Sequence, residues 1–155
     1  MKALTLLFAA ALLGACRDGS VSMTFVATDT VRATLSATTM RCPSGKGWLL
    51  EGVDSVLAVL IWLPSDSPAT WVPRSSGPGD RPRVVVQRLA RASIDTWLAD
   101  SGLVTLRNAA LGQAGDFSVV AGSHRASGSF RAPRPSPDTL ACVAPLSIGP
   151  LDSVP

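Results

Sequence analysis

The chain has no tyrosine, one glutamate (Glu51), one histidine (His124) and only two lysines (Lys2 and Lys46) among its 155 residues. Its three cysteines, Cys16, Cys42 and Cys142, are far apart. With a single histidine they do not make a zinc set. The acids are mostly isolated aspartates beside turn residues (Asp54, Asp66, Asp80, Asp100, Asp138), a placement that serves turn geometry. Glycoside hydrolysis needs two apposed carboxylates, and calcium loops need a D-x-D-x-D spacing; neither pattern occurs. A Gly-x-Ser-x-Gly elbow is missing as well. Ser44-Gly45-Lys46-Gly47 lacks the upstream glycine and the following Ser or Thr of a phosphate loop. His124 falls in a turn between two strand-like segments, whereas a catalytic base needs a positioned, partly buried setting. The sequence therefore names no catalytic residue, no metal ligand and no cofactor. The alternative is a small hydrolase whose site the sequence does not display.

Charge is also sparse. Charged residues make up 16 % of the chain, with 14 basic and 11 acidic side chains, and without Lys2 the basic count falls to 13. The excess is small and scattered, which gives no nucleic-acid patch. Thr, Ser, Val, Gly and Pro are abundant, and that composition favours strands and turns over helices.

The apolar residues have a definite pattern at the start. Lys2 precedes an uncharged run from Ala3 to Leu13, followed by Gly14, Ala15 and Cys16. This is the order of a secretory signal, and the run is shorter than the roughly 20 residues that span a membrane. Leu13-Gly14-Ala15-Cys16 resembles the lipobox of bacterial lipoproteins. The resemblance implies cleavage before Cys16, lipidation of its thiol and acylation of the new amine. Several acyl chains on one residue give stable anchoring where one is marginal. An ordinary secretory signal cut near Ala15 is the plainer reading. With Cys16 lipidated, Cys42 and Cys142 remain as an even pair. In an oxidising compartment they are expected to form a disulfide. It would close a loop of about 100 residues, worth roughly 4–5 kcal/mol in chain-entropy models.

The rest reads as strands. Val31, Ala33, Leu35 and Ala37 alternate with Arg32, Thr34, Ser36 and Thr38, predicting a half-buried strand. Val56–Leu63 (VLAVLIWL) is continuously apolar and suits a central strand; a buried helix is its rival. The Pro-rich 64–82 stretch predicts a loop with a short edge segment around Thr70–Val72 and Trp71 folded back on the core. Arg83–Leu89 is a further strand. Gly115–Ala121 and Ala126–Ala132 predict a hairpin on a four-residue loop, with Ala121 opposite Ala126, Phe117 opposite Phe130 and Asp116 opposite Arg131. Leu103–Arg107 adds a third strand and sets Arg107 beside Asp116. Thr139–Val143, carrying Cys142, predicts a last strand.

TWLADSGLVTL (Thr96–Leu106), GDFSV, ASGSFRAP and the closing Cys142 together resemble a group of small bacterial lipoproteins of unknown function. The resemblance implies a lipid-anchored β domain and assigns no catalytic residues.

The expected organisation is a signal over 1–15, a lipidated tether over 16–23, a domain over 24–145 and a tail over 146–155. The expected fold is mainly β: an antiparallel β-sandwich-like domain of about seven strands, with a small β-barrel as the alternative. The expected role is that of a non-catalytic binding or structural lipoprotein of the cell envelope. Its partners would be the membrane, through the lipid at Cys16, and an envelope or protein partner, with no nucleic acid. Arg17 rather than Asp follows the anchor cysteine, with Asp18 one place later. The expected placement is the outer membrane or the periplasmic face, and that order inclines it to the outer membrane.

Overall fold

A computed structural model describes residues 19–41, 47–74, 81–109 and 112–134. Ten strands account for most of them: β1 (Gly19–Val26), β2 (Thr30–Arg41), β3 (Trp48–Val53), β4 (Leu57–Leu63), β5 (Ala69–Trp71), β6 (Arg83–Leu89), β7 (Ile94–Leu98), β8 (Ser101–Ala109), β9 (Gly112–Ala121) and β10 (His124–Ala132). All pairings are antiparallel. Across the sheet the order is β5-β8-β9-β10-β1-β2-β3-β4-β6-β7. The mainly β, antiparallel expectation holds. The strands number ten rather than about seven, and they join one sheet that curls into a half-barrel.

Two features produce the curl. β2 is long and staggered between its neighbours: Thr30–Ala37 pair with β1, while Ser36–Arg41 pair with β3. Such a stagger tilts the strands and bends a sheet on itself. The second feature is the link Ala99–Asp100, which joins β7 at one edge to β8 near the other. Ala99 N–H donates to Val84 O at 2.9 Å, and Asp100 N–H donates to Val120 O at 3.0 Å. Two consecutive residues thus bond to β6 on one side and β9 on the other.

Alternation assigns the faces. Val21, Met23 and Phe25 of β1, Leu35 and Ala37 of β2, Val104 and Leu106 of β8, and Phe117 and Val119 of β9 all point inward and are buried in one core. β4 contributes Leu57, Val59, Ile61 and Leu63, each fully buried. VLAVLIWL is therefore a central strand, and the helix rival falls. β5 is the short edge segment expected in the Pro-rich stretch, with Trp71 packed against the core. Asp54 serves turn geometry as expected: its Oδ1 accepts from Val56 N–H and Leu57 N–H, both at 2.7 Å.

Three expectations need correction. β1 begins at Gly19, inside the stretch expected to be tether, and its Val21 and Met23 belong to the core. The β9–β10 hairpin keeps its faces but shifts by two residues: Ala121 pairs with His124, Phe117 with Gly128, and Phe130 with Gly115. β8 shifts likewise, with Val104 opposite Phe117. The reason lies in the turn. Gly122 has φ 62°, which permits a two-residue turn of the hairpin type with glycine first. The two rings then lie over glycines instead of meeting each other. A Cβ added at Gly128 would stand 2.9 Å from Phe117 Cζ, and one at Gly115 would run into the Phe130 ring. The predicted last strand, Thr139–Val143, lies outside the described residues.

Candidate functional site

None of the three expected site residues falls within the described structure. Cys16, Cys42 and Cys142 are all outside it. What the described residues offer are three polar or aromatic groupings.

The first involves His124. The shifted hairpin makes it the opening residue of β10 rather than part of a loop tip. Its ring stacks on Phe25, with centroids 5.8 Å apart and planes 10° off parallel. Trp97 of β7 lies 4.6 Å from His124 and 5.0 Å from Phe25. The three rings join the edge strand β7 to the β1–β10 pair in mid-sheet. Nearby, Arg88 of β6 donates both Nη atoms to the carboxylate of Asp29 in the β1–β2 turn, at 2.9 Å each. That hydrogen bond holds the Asp29 carboxyl below its ordinary value and raises Arg88. His124 Nδ1 has Ser123 Oγ at 3.5 Å, the outer limit of a hydrogen bond. The grouping is an aromatic clasp with an ion pair beside it. The half-buried histidine corrects the expectation of an exposed turn residue. Its placement was hidden in the sequence because it depends on the two-residue turn.

The second grouping lies at the opposite end of the strands. Gln113 is buried, and its Nε2 donates to Asp66 O at 3.3 Å, while its Oε1 has no hydrogen-bond partner. Around it, Trp48 Nε1 donates to Ser65 O at 3.1 Å, and Arg41 reaches Asp66 at 3.4 Å. These contacts fasten the β4–β5 connection over the end of the core. Gln113 was not singled out in the sequence, where GQAG (Gly112–Gly115) carries no burial signal.

The third is the outer face of β8, β9, β10, β1 and β2. One lateral row reads Thr105, Asp116, Ser129, Ser22, Thr34, and the next reads Arg107, Ala114, Arg131, Ser20, Ser36. Arg107 pairs with Asp116, as expected, although the two are diagonal rather than opposite. The expected opposition of Asp116 and Arg131 is not formed; Ser129 faces Asp116 instead.

Among the described residues no group of three or more His, Cys, Asp or Glu could hold a metal ion, and no helix is long and apolar enough to cross a membrane. No family model, no curated protein and no solved structure matches the chain.

Proposed function

We propose that the protein is an exported lipoprotein, acylated at Cys16, whose curled sheet works at the envelope membrane surface as a non-catalytic binding or structural module. One observation carries this reading. β1 begins at Gly19, three residues after the cysteine of Leu13-Gly14-Ala15-Cys16, so the folded domain follows the anchor position almost directly. A signal that ends where the first core strand begins leaves the domain intact after cleavage. Val21, Met23 and Phe25 of that first described strand supply core side chains.

The pairing of Cys42 with Cys142 belongs to the same reading. Thr39 Oγ1 donates to Pro133 O at 3.3 Å, which brings the chain after β10 beside the end of β2. Cys42 lies three residues beyond Thr39, and Cys142 nine beyond Pro133. Nine residues reach up to about 30 Å when extended, enough to return to Cys42. His124 supports the non-catalytic role, since its ring is engaged in packing against two aromatics.

The test is an intact mass of the protein extracted from membranes, with thiols alkylated before and after reduction. The expected mass starts at Cys16 and carries acyl chains, and two thiols react only after reduction. A chain that retains Met1 with three freely reactive thiols would remove both the anchor and the bridge.

A further inference from the structure

Resting on the proposed anchor at Cys16, we infer that the outer-face row Arg107–Ala114–Arg131–Ser20–Ser36, with Arg134 beside it, docks on the anionic phospholipid headgroups of the anchoring membrane. Ser20 is in this row by register, between Arg131 of β10 and Ser36 of β2. The chain therefore leaves the domain from within the row. From Cys16 to Ser20 it can span at most about 14 Å. Any lipid on Cys16 is thus held within that distance of the row, whatever course the intervening residues take.

The charge there has the sign that anionic headgroups require. Arg131 and Arg134 are exposed, and neither has a carboxylate partner among the described residues. Arg107 is shared with Asp116, the one carboxylate on the outward positions of β8, β9, β10, β1 and β2. The hydroxyls of Ser20 and Ser36 continue the row beyond Arg131 and supply further donors. Ala114 keeps the row low between Arg107 and Arg131, whose strands lie about 10 Å apart. At the far end of the same face stand Arg32 and Arg125. Arg125 is six residues along β10 from Arg131, about 20 Å away, beyond the Debye length of about 8 Å at physiological salt. These two are internal references.

Arginine-specific labelling with phenylglyoxal, read by mass spectrometry, tests the docking on the unaltered protein. The acylated chain is placed in vesicles of phosphatidylcholine alone or of phosphatidylcholine with phosphatidylglycerol. Labelling of Arg131 and Arg134 is expected to fall about fivefold in the anionic vesicles, following the attraction typical of one basic side chain at such a surface. Arg32 and Arg125 should label equally in both, and high salt should restore Arg131. Equal labelling of Arg131 and Arg134 in both vesicle types overturns the inference while leaving the anchor intact. Protection that is the same in both lipids but grows with protein density would assign the row to a second copy, and would also overturn it. Failure of the anchor is separate, since it shows as a missing acyl mass.

Discussion

Glycine at 115 is a packing residue rather than a turn residue. Phe130 lies over it from β10, and the Thr105 carbonyl approaches it from β8. Both neighbours are constrained, one a core ring and the other backbone, so neither can give way cheaply. Gly115→Ala should therefore cost about 1–3 kcal/mol, the range for overfilling a packed site. A lower urea midpoint with an unchanged m-value would show it. Asp29 is of another kind. Its carboxyl is held low chiefly by the Arg88 hydrogen bond, so the folded state favours the ionised form. The stabilisation is present above the ordinary carboxylate range and is lost as the pH falls through the still lower folded value. Asp29→Asn should thus lower the melting temperature slightly at neutral pH, and the difference from wild type should vanish in strong acid. The pair is half exposed, so the effect is small and salt reduces it further.

At the scale of elements, β7 is the strand to watch. Among the described residues it pairs on one side only, with β6, and Ile94 at its start is 63 % exposed. Trp97 pins it to Phe25 and His124 across the curl. Trp97→Ala should cost about 2 kcal/mol, less than the 3–5 of a fully buried aromatic. Amide exchange in Ile94–Leu98 should accelerate before the rest of the sheet opens. Uniform acceleration would mean that β7 opens only with the whole sheet.

The same elements show what the sequence could reveal. Val31–Ala37 alternates cleanly, and β2 follows it. The faces of β9 and β10 were legible because a period of two fixes them, but a register shift of two preserves every face. Only the turn around Gly122 and the seating of Phe117 and Phe130 over glycines choose between the two registers. β1 also alternates, Val21, Met23 and Phe25 against Ser20, Ser22 and Thr24, yet its closeness to Cys16 of the lipobox-like stretch makes it read as tether. β7 gave no clear period, because Ile94, Asp95 and Thr96 are all exposed and Trp97 and Leu98 are both half-buried. The aromatic clasp was illegible for a related reason: its three rings stand 27 to 99 residues apart in the chain, one of them in a shifted register, and only the curl of the sheet joins them.

For the whole molecule, polarity is divided between the two halves of the outer surface. Outward positions on β8, β9, β10, β1 and β2 are rich in Ser, Thr and Arg. Outward positions on β3, β4 and β6 include Leu49, Ala58 and Val85, which are buried without belonging to the main core. The curled sheet therefore has a wettable side and an apolar side, and the chain emerges from the wettable one.

The pairing of β1 with β10 sets the order in which the molecule can be completed. Ser20 meets Arg131, so the first of the described strands waits for the last of them. Until β10 arrives, β1 holds one partner in the local β1–β2 hairpin and presents its other side as an open template. Synthesis that stops after β9 leaves two matching vacancies, the free side of β1 and the free side of β9. Two such truncated chains would each lack the strand that fits between them. A complete neighbour could lend its own β10, turning a pairing made within one chain into an exchange between chains.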